Sequence, residues 1–466
     1  MEEREAVRHL LQLGELPTPD KIKELVSGAL LQDPELLSLK VSEKKINLTD
    51  SGSSVDVLQH FDWKPRKVGV KDFVTYFRNR YTFVKNLLVN RAETTGAISI
   101  SKLRTVSGKS IIVGIIADIH KLPTGTLKLE VEDLTGRITA IVSIKKPDLA
   151  KEIPYLVPDE VLAFKGSFAK DVFFVDEVVW PDIPHKQRTY SPDEAYAVFT
   201  GDIHSGSNMF LPKEFDKFVQ WLKGNYGDND MKDLAKKTRY IFLLGDLIDG
   251  VGIYPEQEKE LHVKDAAKQY DMLAKYLAEI PSDKKIIIIP GNHDALRLCE
   301  PQPTIQKYYA APIMELPNTV CVSNPALIKL HKQDGYSGFD VLMYHGYSFD
   351  HFVDSVEALR LAGGYDAPDK IWEFLLKRRH LAPTYGATLA LPMDPDPLQI
   401  RQIPDMVASG HIHKAKLGSY RNVLSASCSC WQSTTTFQAR VGHKPEPARV
   451  PIYGLHNGKA DMLMFG

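Results

Sequence analysis

The sequence predicts a multidomain protein in which a short helical region and a small β-barrel precede a larger α/β domain. Three observations predict it. The 466-residue chain is too long for one small core, so two or three domains are expected. From about residue 95 to 180 the apolar residues recur with a period of two, in short runs separated by turn residues. Beyond residue 186, five apolar runs each stop at a small residue followed by a polar cluster, with amphipathic helical stretches between them.

In chain order, residues 1–40 read as a helical N-terminal region. "REAVRHLLQL" sets Ala6, Val7, Leu10 and Leu11 on one face, and "TPDKIKELVSGALL" opens with a helix start signal. Residues 41–71 read as a linker, on the strength of the polar stretch "SEKKINLTDSGSSVDV". Residues 72–185 read as a helix plus a barrel. The helix, "DFVTYFRNRYTFVKNLLVNR", carries aromatics and arginines, and packing them into a core outweighs nucleic-acid contact. The runs "SIIVGIIADI", "TLKLEVED" and "RITAIV", with two more in "EVLAFKGSFAKDVFFVDEVVW", give five short strands, and an OB-fold is the expected closure. Residues 186–466 form the α/β domain, with its site expected at the strand ends.

Bulk properties narrow the setting. No apolar run approaches the roughly 18 residues of a membrane helix, and the charged start "MEEREAV" is no signal peptide, so a cytoplasmic protein without membrane contact is expected. Of the four cysteines, Cys299 and Cys321 stand alone and Cys428-x-Cys430 lacks a second pair, which suits reduced core residues better than a zinc ribbon. A net charge of −1 leaves nucleic acid as a partner only through a local patch or with another chain's help.

The polar clusters are Asp202-x-His204, Gly245-Asp246-x-x-Asp249, Gly291-Asn292-His293-Asp294, His345-Gly346 and Gly410-His411-x-His413. On extended backbone, residues i and i+2 face the same way, so Asp202 with His204 and His411 with His413 are each expected to aim at one point. Oxygen and nitrogen donors without thiolate suit Mn²⁺, Fe²⁺ or Zn²⁺ better than Mg²⁺ or Ca²⁺. Seven such side chains exceed one ion's needs and fit two divalent metal ions. Such pairs sit about 3.5–4 Å apart and need a bridging carboxylate, for which Asp246 is placed.

This pattern, D-x-H…G-D-x-x-D…G-N-H-[DE]…H…G-H-x-H, resembles that of the calcineurin-like metallophosphoesterases and is complete here. The resemblance implies one ion held by Asp202, His204, Asp246 and His413, and a second held by Asp246, Asn292, His345 and His411. It further implies a hydroxide that attacks phosphorus, His293 as proton donor to the leaving oxygen, Asp294 as the residue orienting that imidazole, and Asp249 behind the ligands. Of the metals, Mn²⁺ is the first choice, with Fe²⁺ or Zn²⁺ as alternatives.

A barrel ahead of such a domain resembles the small subunits of replicative DNA polymerases. The stretches "GVGIYPEQ", "PGNHDALRLCEPQP", "YHGYSFD", "LRLAGGYDAPDKIWEFLLKRRHLAPTYG" and "ARVPIYGL" are similar to the archaeal family D small subunits, from about residue 72 onward. That resemblance implies a 3′→5′ exonuclease that proofreads for a separate polymerase large subunit and accepts single-stranded DNA or a frayed 3′ end. The rivals are a self-standing repair nuclease of the Mre type and a catalytically silent scaffold. For substrate contact, Arg297 beside the catalytic histidine is the candidate, with pairing to Glu300 as its alternative. The "KRRH" run at 377–380 either steers the phosphate backbone or caps a solvated helix end.

Overall fold

The computed structural model describes residues 54–61, 67–440 and 442–466, all within Glu43–Gly466, the second of two compact units of the chain. The expected N-terminal helices, and the linker apart from residues 54–61 and 67–71, lie outside the described residues. No helix among the described residues is long and apolar enough to cross a membrane, and the four cysteines form no disulfide.

Five strands close a barrel: β2 (Lys109–Lys121), β3 (Leu127–Asp133), β4 (Gly136–Val142), β5 (Val161–Ala169) and β6 (Val172–Val179), in the order β2-β3-β4-β6-β5. The alternation in β3 does what a period of two must do. Leu127, Leu129 and Val131 point inward to meet Ile112, Ile116, Phe164 and Phe173, while Lys128 stays outside. Against the outer face of β2 and β5 lies the helix Val70–Val89, which buries Tyr81, Val84 and Leu88 on Val113, Val161 and Ala163.

The rest forms two six-stranded sheets face to face. One has the order β10 (Thr319–Cys321), β9 (Lys285–Ile289), β8 (Thr238–Leu244), β7 (Tyr196–Thr200), β16 (Arg449–Gly454) and β17 (Ala460–Met464). The other runs β1 (Val55–Gln59), β11 (Ala326–Leu330), β12 (Phe339–Met343), β13 (Met406–Ser409), β15 (Val423–Ser427) and β14 (Lys416–Tyr420). Phe199, Phe242, Ile287 and Ile289 of one sheet pack on Ile328, Val341, Met343 and Ala408 of the other. Helices Pro212–Leu222 and Ala266–Ala278 cover one outer face, and Phe349–Ser355 and Pro368–Arg378 the other. With both faces covered, the central strands are apolar throughout, which is why β9 reads as four isoleucines in a row.

Two expectations need correction. Within the expected linker, Val55–Gln59 is an edge strand antiparallel to β11, with Val55 opposite Leu330 and Val57 opposite Ile328. Its two valines sit on the inter-sheet core, and their V-x-V spacing was masked by the polar residues before it. The second correction concerns "KRRH". Arg378, Arg379 and His380 are only 4%, 4% and 2% exposed, so the run is neither a solvated cap nor a phosphate track.

Instead it fastens the barrel to the sheets. Arg378 Nε lies 2.9 Å from Glu160 Oε2 at the entry to β5, and Glu160 also accepts hydrogen bonds from the Val157 amide and the Trp180 indole. Burial pushes the Glu160 carboxyl up, and the Arg378 charge opposes it. Lys377 covers the Trp180 ring, 4.0 Å from its centroid. His380 Nε2 lies 2.8 Å from Asp396, which also takes the Nε of Arg80 from the helix Val70–Val89 at 3.2 Å. Burial, with Arg80 nearby, pushes the His380 imidazole down to about 4, so it is neutral and donates to the carboxylate.

Removing one partner of a buried ion pair strands the other charge, at a cost of about 3–5 kcal/mol. Arg378→Ala is therefore expected to lower the unfolding free energy by that amount in urea denaturation, and Glu160→Gln in the same chain to recover part of it. A loss below about 1 kcal/mol, the worth of an exposed pair, would contradict a buried role.

Candidate metal centre

Every polar cluster stands where a parallel strand stops, all at one edge of the two-sheet body. Asp202 follows β7, Asp246 follows β8, Asn292 and His293 follow β9, His345 follows β12 and His411 follows β13. The backbone there is not extended. Asp202, His204, Asp246, His411 and His413 have φ of 47°, 50°, 49°, 72° and 52°, in the left-handed region that costs an ordinary residue of order 1–3 kcal/mol. The expected i, i+2 convergence holds for Asp202 and His204, which share one grouping of potential ligands, but not for His411 and His413, which fall in different ones.

Three groupings result, each with its potential ligand atoms within 4.8 Å of one another: Asp202, His204 and His413; His204, Asp246 and His293; Asp246, His345 and His411. Asp246 Oδ2 lies 3.4 Å from His345 Nε2 and 4.0 Å from the Nε2 atoms of both His204 and His293. Its Oδ1 accepts the His293 amide at 2.8 Å. Asn292 Oδ1 lies 3.0 Å from His345 Nε2.

The imidazoles are fixed from behind. His204 Nδ1 meets Asp249 Oδ1 at 2.9 Å, His293 Nδ1 the Asp249 carbonyl at 2.8 Å, and His345 Nδ1 the Leu244 carbonyl at 2.7 Å. His413 Nδ1 lies 3.0 Å from the Gln438 amide, and His411 uses Nε2 on Asp350 at 2.8 Å. Each ring thus has one nitrogen engaged outside and the other free for the centre, the arrangement that orients metal-ligating histidines. His204 Nε2 and His413 Nε2 face each other at 3.1 Å, as two donors do when both address the same position.

Glycines allow the close packing. A Cβ on Gly291 would lie 2.2 Å from Asp246 Oδ1, and one on Gly410 would lie 2.4 Å from Asp202 Oδ2. The carboxylates occupy the space that a side chain there would fill.

Asp202, Asp246 and Asp249 are all at most 2% exposed. Burial pushes the Asp246 carboxyl up, but His345 and His293 hold it well below the usual carboxylate range. Burial likewise pushes the His345 imidazole down, and Asp246 more than reverses this, bringing it up to about 9. A divalent cation bound here would balance these buried anions, and its binding would compete with protons for the imidazoles. The donor set fits such ions.

One sequence expectation changes here. Asp294 does not orient His293: its carboxylate accepts from Tyr270 Oη at 2.8 Å, the Gly291 amide at 2.8 Å and the Leu247 amide at 3.3 Å. It shapes the loop, and burial with the Asp246 charge pushes it up to about 7. The backbone of Asp249 holds His293 instead. Arg297, the candidate for substrate contact, donates to the carbonyls of Cys299 and Pro301 in its own loop.

Sequence reasoning missed Asp350 and Gln438, which brace His411 and His413. It also missed the aromatic side chains Tyr254, Tyr347, Tyr365 and Phe437, which line a cleft of about 470 Å³ over the centre. Tyr254 and Asp350 do lie in the stretches "GVGIYPEQ" and "YHGYSFD", but nothing local in those stretches marks them.

The family model for calcineurin-like phosphoesterases matches residues 196–415, which span all five clusters. A DNA polymerase II small subunit of Archaeoglobus fulgidus is 36% identical over 93% of this chain and 85% of its own length. The chain belongs to the DNA polymerase II small subunit family. The protein of the same description from Methanothermobacter thermautotrophicus is 35% identical over 85% of this chain and 80% of its own. For the family member from Pyrococcus horikoshii the identity is 36%, over 85% of this chain but 63% of that protein.

In this family member, then, the glycines behind these carboxylates are open to test. Gly291→Ala is expected to displace Asp246 and weaken Mn²⁺ binding at least tenfold in calorimetric titration, while the fold persists by circular dichroism. Unchanged affinity would mean that the carboxylate position does not depend on that contact.

Proposed function

We propose that this chain is a two-metal 3′→5′ exonuclease that serves as the proofreading small subunit of a DNA polymerase. Its partners are then the polymerase large subunit and a single-stranded or frayed 3′ end of DNA. The observation that carries the reading is the set of five histidines, each braced on one nitrogen and aimed with the other at the surroundings of Asp246. No structural side chain needs that arrangement; a hydrolytic metal centre does.

In this reading Asp202, His204, Asp246 and His413 hold one divalent ion, and Asp246, Asn292, His345 and His411 hold the other, with Mn²⁺ the first choice. Ions so held supply Lewis acidity at phosphorus and acidify water. The remaining roles belong to the chain. His293, whose Nδ1 is occupied by the Asp249 carbonyl, presents Nε2 as the proton donor to the departing O3′. A water oxygen bonds to phosphorus, the P–O3′ bond breaks, and the proton ends on the 3′ hydroxyl. Mispaired ends fray more readily than paired ones, so a cleft that admits single strands selects errors without reading sequence.

The barrel order β2-β3-β4-β6-β5, with β4 and β6 parallel and the other pairs antiparallel, supports an OB-fold. On this reading the domains run 72–185 for helix and barrel and 186–466 for the phosphoesterase. The barrel is offered as part of the surface that meets the large subunit.

The test is degradation of 3′-labelled and 5′-labelled single strands by the full chain with Mn²⁺. Stepwise shortening from the 3′ end is expected; no cleavage with two ions bound would remove the exonuclease. His293→Ala should keep both ions and lose about 10²–10⁴-fold in rate, and a wild-type rate would exclude it as the acid. Asp246→Ala should lose bound metal by elemental analysis, and full occupancy would refute its shared position.

A further inference from the structure

The cleft wall nearest His293 carries a feature that neither the metal centre nor the fold requires. Tyr254 and Phe437 stack face to face, with ring centroids 5.3 Å apart and planes inclined by 26°. Both line the cleft, and the Tyr254 ring centroid lies 6.4 Å from that of His293. Phe437 is 47% exposed and the neighbouring Ile253 38%. Apolar surface is thus open beside the charged centre, and covering it would gain about 25 cal/mol per Å².

Hydrogen bonds tie the pair to the centre. Glu260 accepts the Tyr254 hydroxyl at 2.9 Å and the Thr436 amide at 3.0 Å, tying the loop of one ring to the helix Thr436–Arg440 of the other. In the same loop, Gln257 donates to the Asp249 carbonyl at 2.7 Å and to its carboxylate at 3.0 Å, and accepts the Ile253 amide at 2.9 Å. Since the Asp249 carbonyl also fixes His293, ring pair and proton donor share one support.

We propose that Tyr254 and Phe437 form a nucleobase platform, on which a base beside the scissile phosphate stacks at the 3′ end of the strand. The inference rests on the nuclease reading and names its substrate contact. A flat apolar face is the recognition element suited to single strands, because every base presents a π-face and stacking tolerates any sequence. It also disfavours duplex ends, whose bases are already stacked on one another. Placed next to His293, the platform lies on the side of the leaving O3′, so the base it holds belongs to the strand that is retained.

The test measures binding by the full chain in Mn²⁺, using fluorescence anisotropy of a 5′-labelled single strand whose last linkage is an uncleavable methylphosphonate. A second strand is identical but base-free at its last two sugars. Wild type is expected to bind the strand with bases about tenfold more tightly. Phe437→Ala and Tyr254→Ala should lower its affinity to that of the base-free strand, while Phe437→Trp keeps the difference. Equal wild-type affinity for both strands, or a difference that survives Phe437→Ala, overturns the platform. Discrimination without any cleavage of the unmodified strand would leave the platform standing and remove the exonuclease instead.

Discussion

Three aspartate carboxylates, Asp202, Asp246 and Asp249, are buried together at one edge of the sheets, and the structure depends on how their charge is met. Moving an ion out of water costs several kcal/mol even after the protein relaxes, and like charges side by side add to it. Nearby groups answer that cost in a specific way. Backbone amides of His293 and His411 donate to Asp246 and Asp202, Gln257 and Gln432 donate to Asp249, and imidazoles fill the remaining directions. The left-handed backbone at five of these positions is strain that only a strongly determined environment sustains. A pair of divalent ions is the natural counterpart to such a set.

Chemistry at the centre is thereby linked to the architecture. The parallel strands β7, β8, β9, β12 and β13 are apolar because they are covered on both faces, and at their ends buried polar side chains face one another around the centre. The barrel and its helix Val70–Val89 are fixed to this body by buried polar contacts as well: the ion pairs of Glu160 with Arg378 and of Asp396 with Arg80, and the neutral His380 on Asp396. These pairs lie beside apolar contacts of Val157 and Ile183 with Trp372 and Leu375, and a buried pair tolerates the loss of either partner poorly.

Much of this was legible in the sequence, for a physical reason that also marks its limit. The five clusters could be found because strand, turn and ligand are adjacent in the chain, as in Ile286 to Asn292. The barrel could be found because inward and outward residues alternate, as in Leu127 to Val131. What stayed hidden was long-range. Asp350 behind His411, Gln438 behind His413 and Glu160 beside Arg378 are far apart in sequence, and no period marks them. The "KRRH" run reads as surface because its partners are invisible to a local reading. Asp294 was given to His293 because it is its neighbour, whereas the structure turns it toward Tyr270 and the Gly291 amide. The β1 strand was hidden by the polar residues around Val55 and Val57.

The central claim is that two cations share Asp246. Anomalous scattering from a crystal of the full chain grown with Mn²⁺ tests it most directly. The account predicts two peaks about 3.5–4 Å apart, one beside Asp202, His204 and His413, the other beside Asn292, His345 and His411, with the Asp246 carboxylate between them. A single fully occupied peak, or two peaks with Asp246 bound to neither, would contradict it.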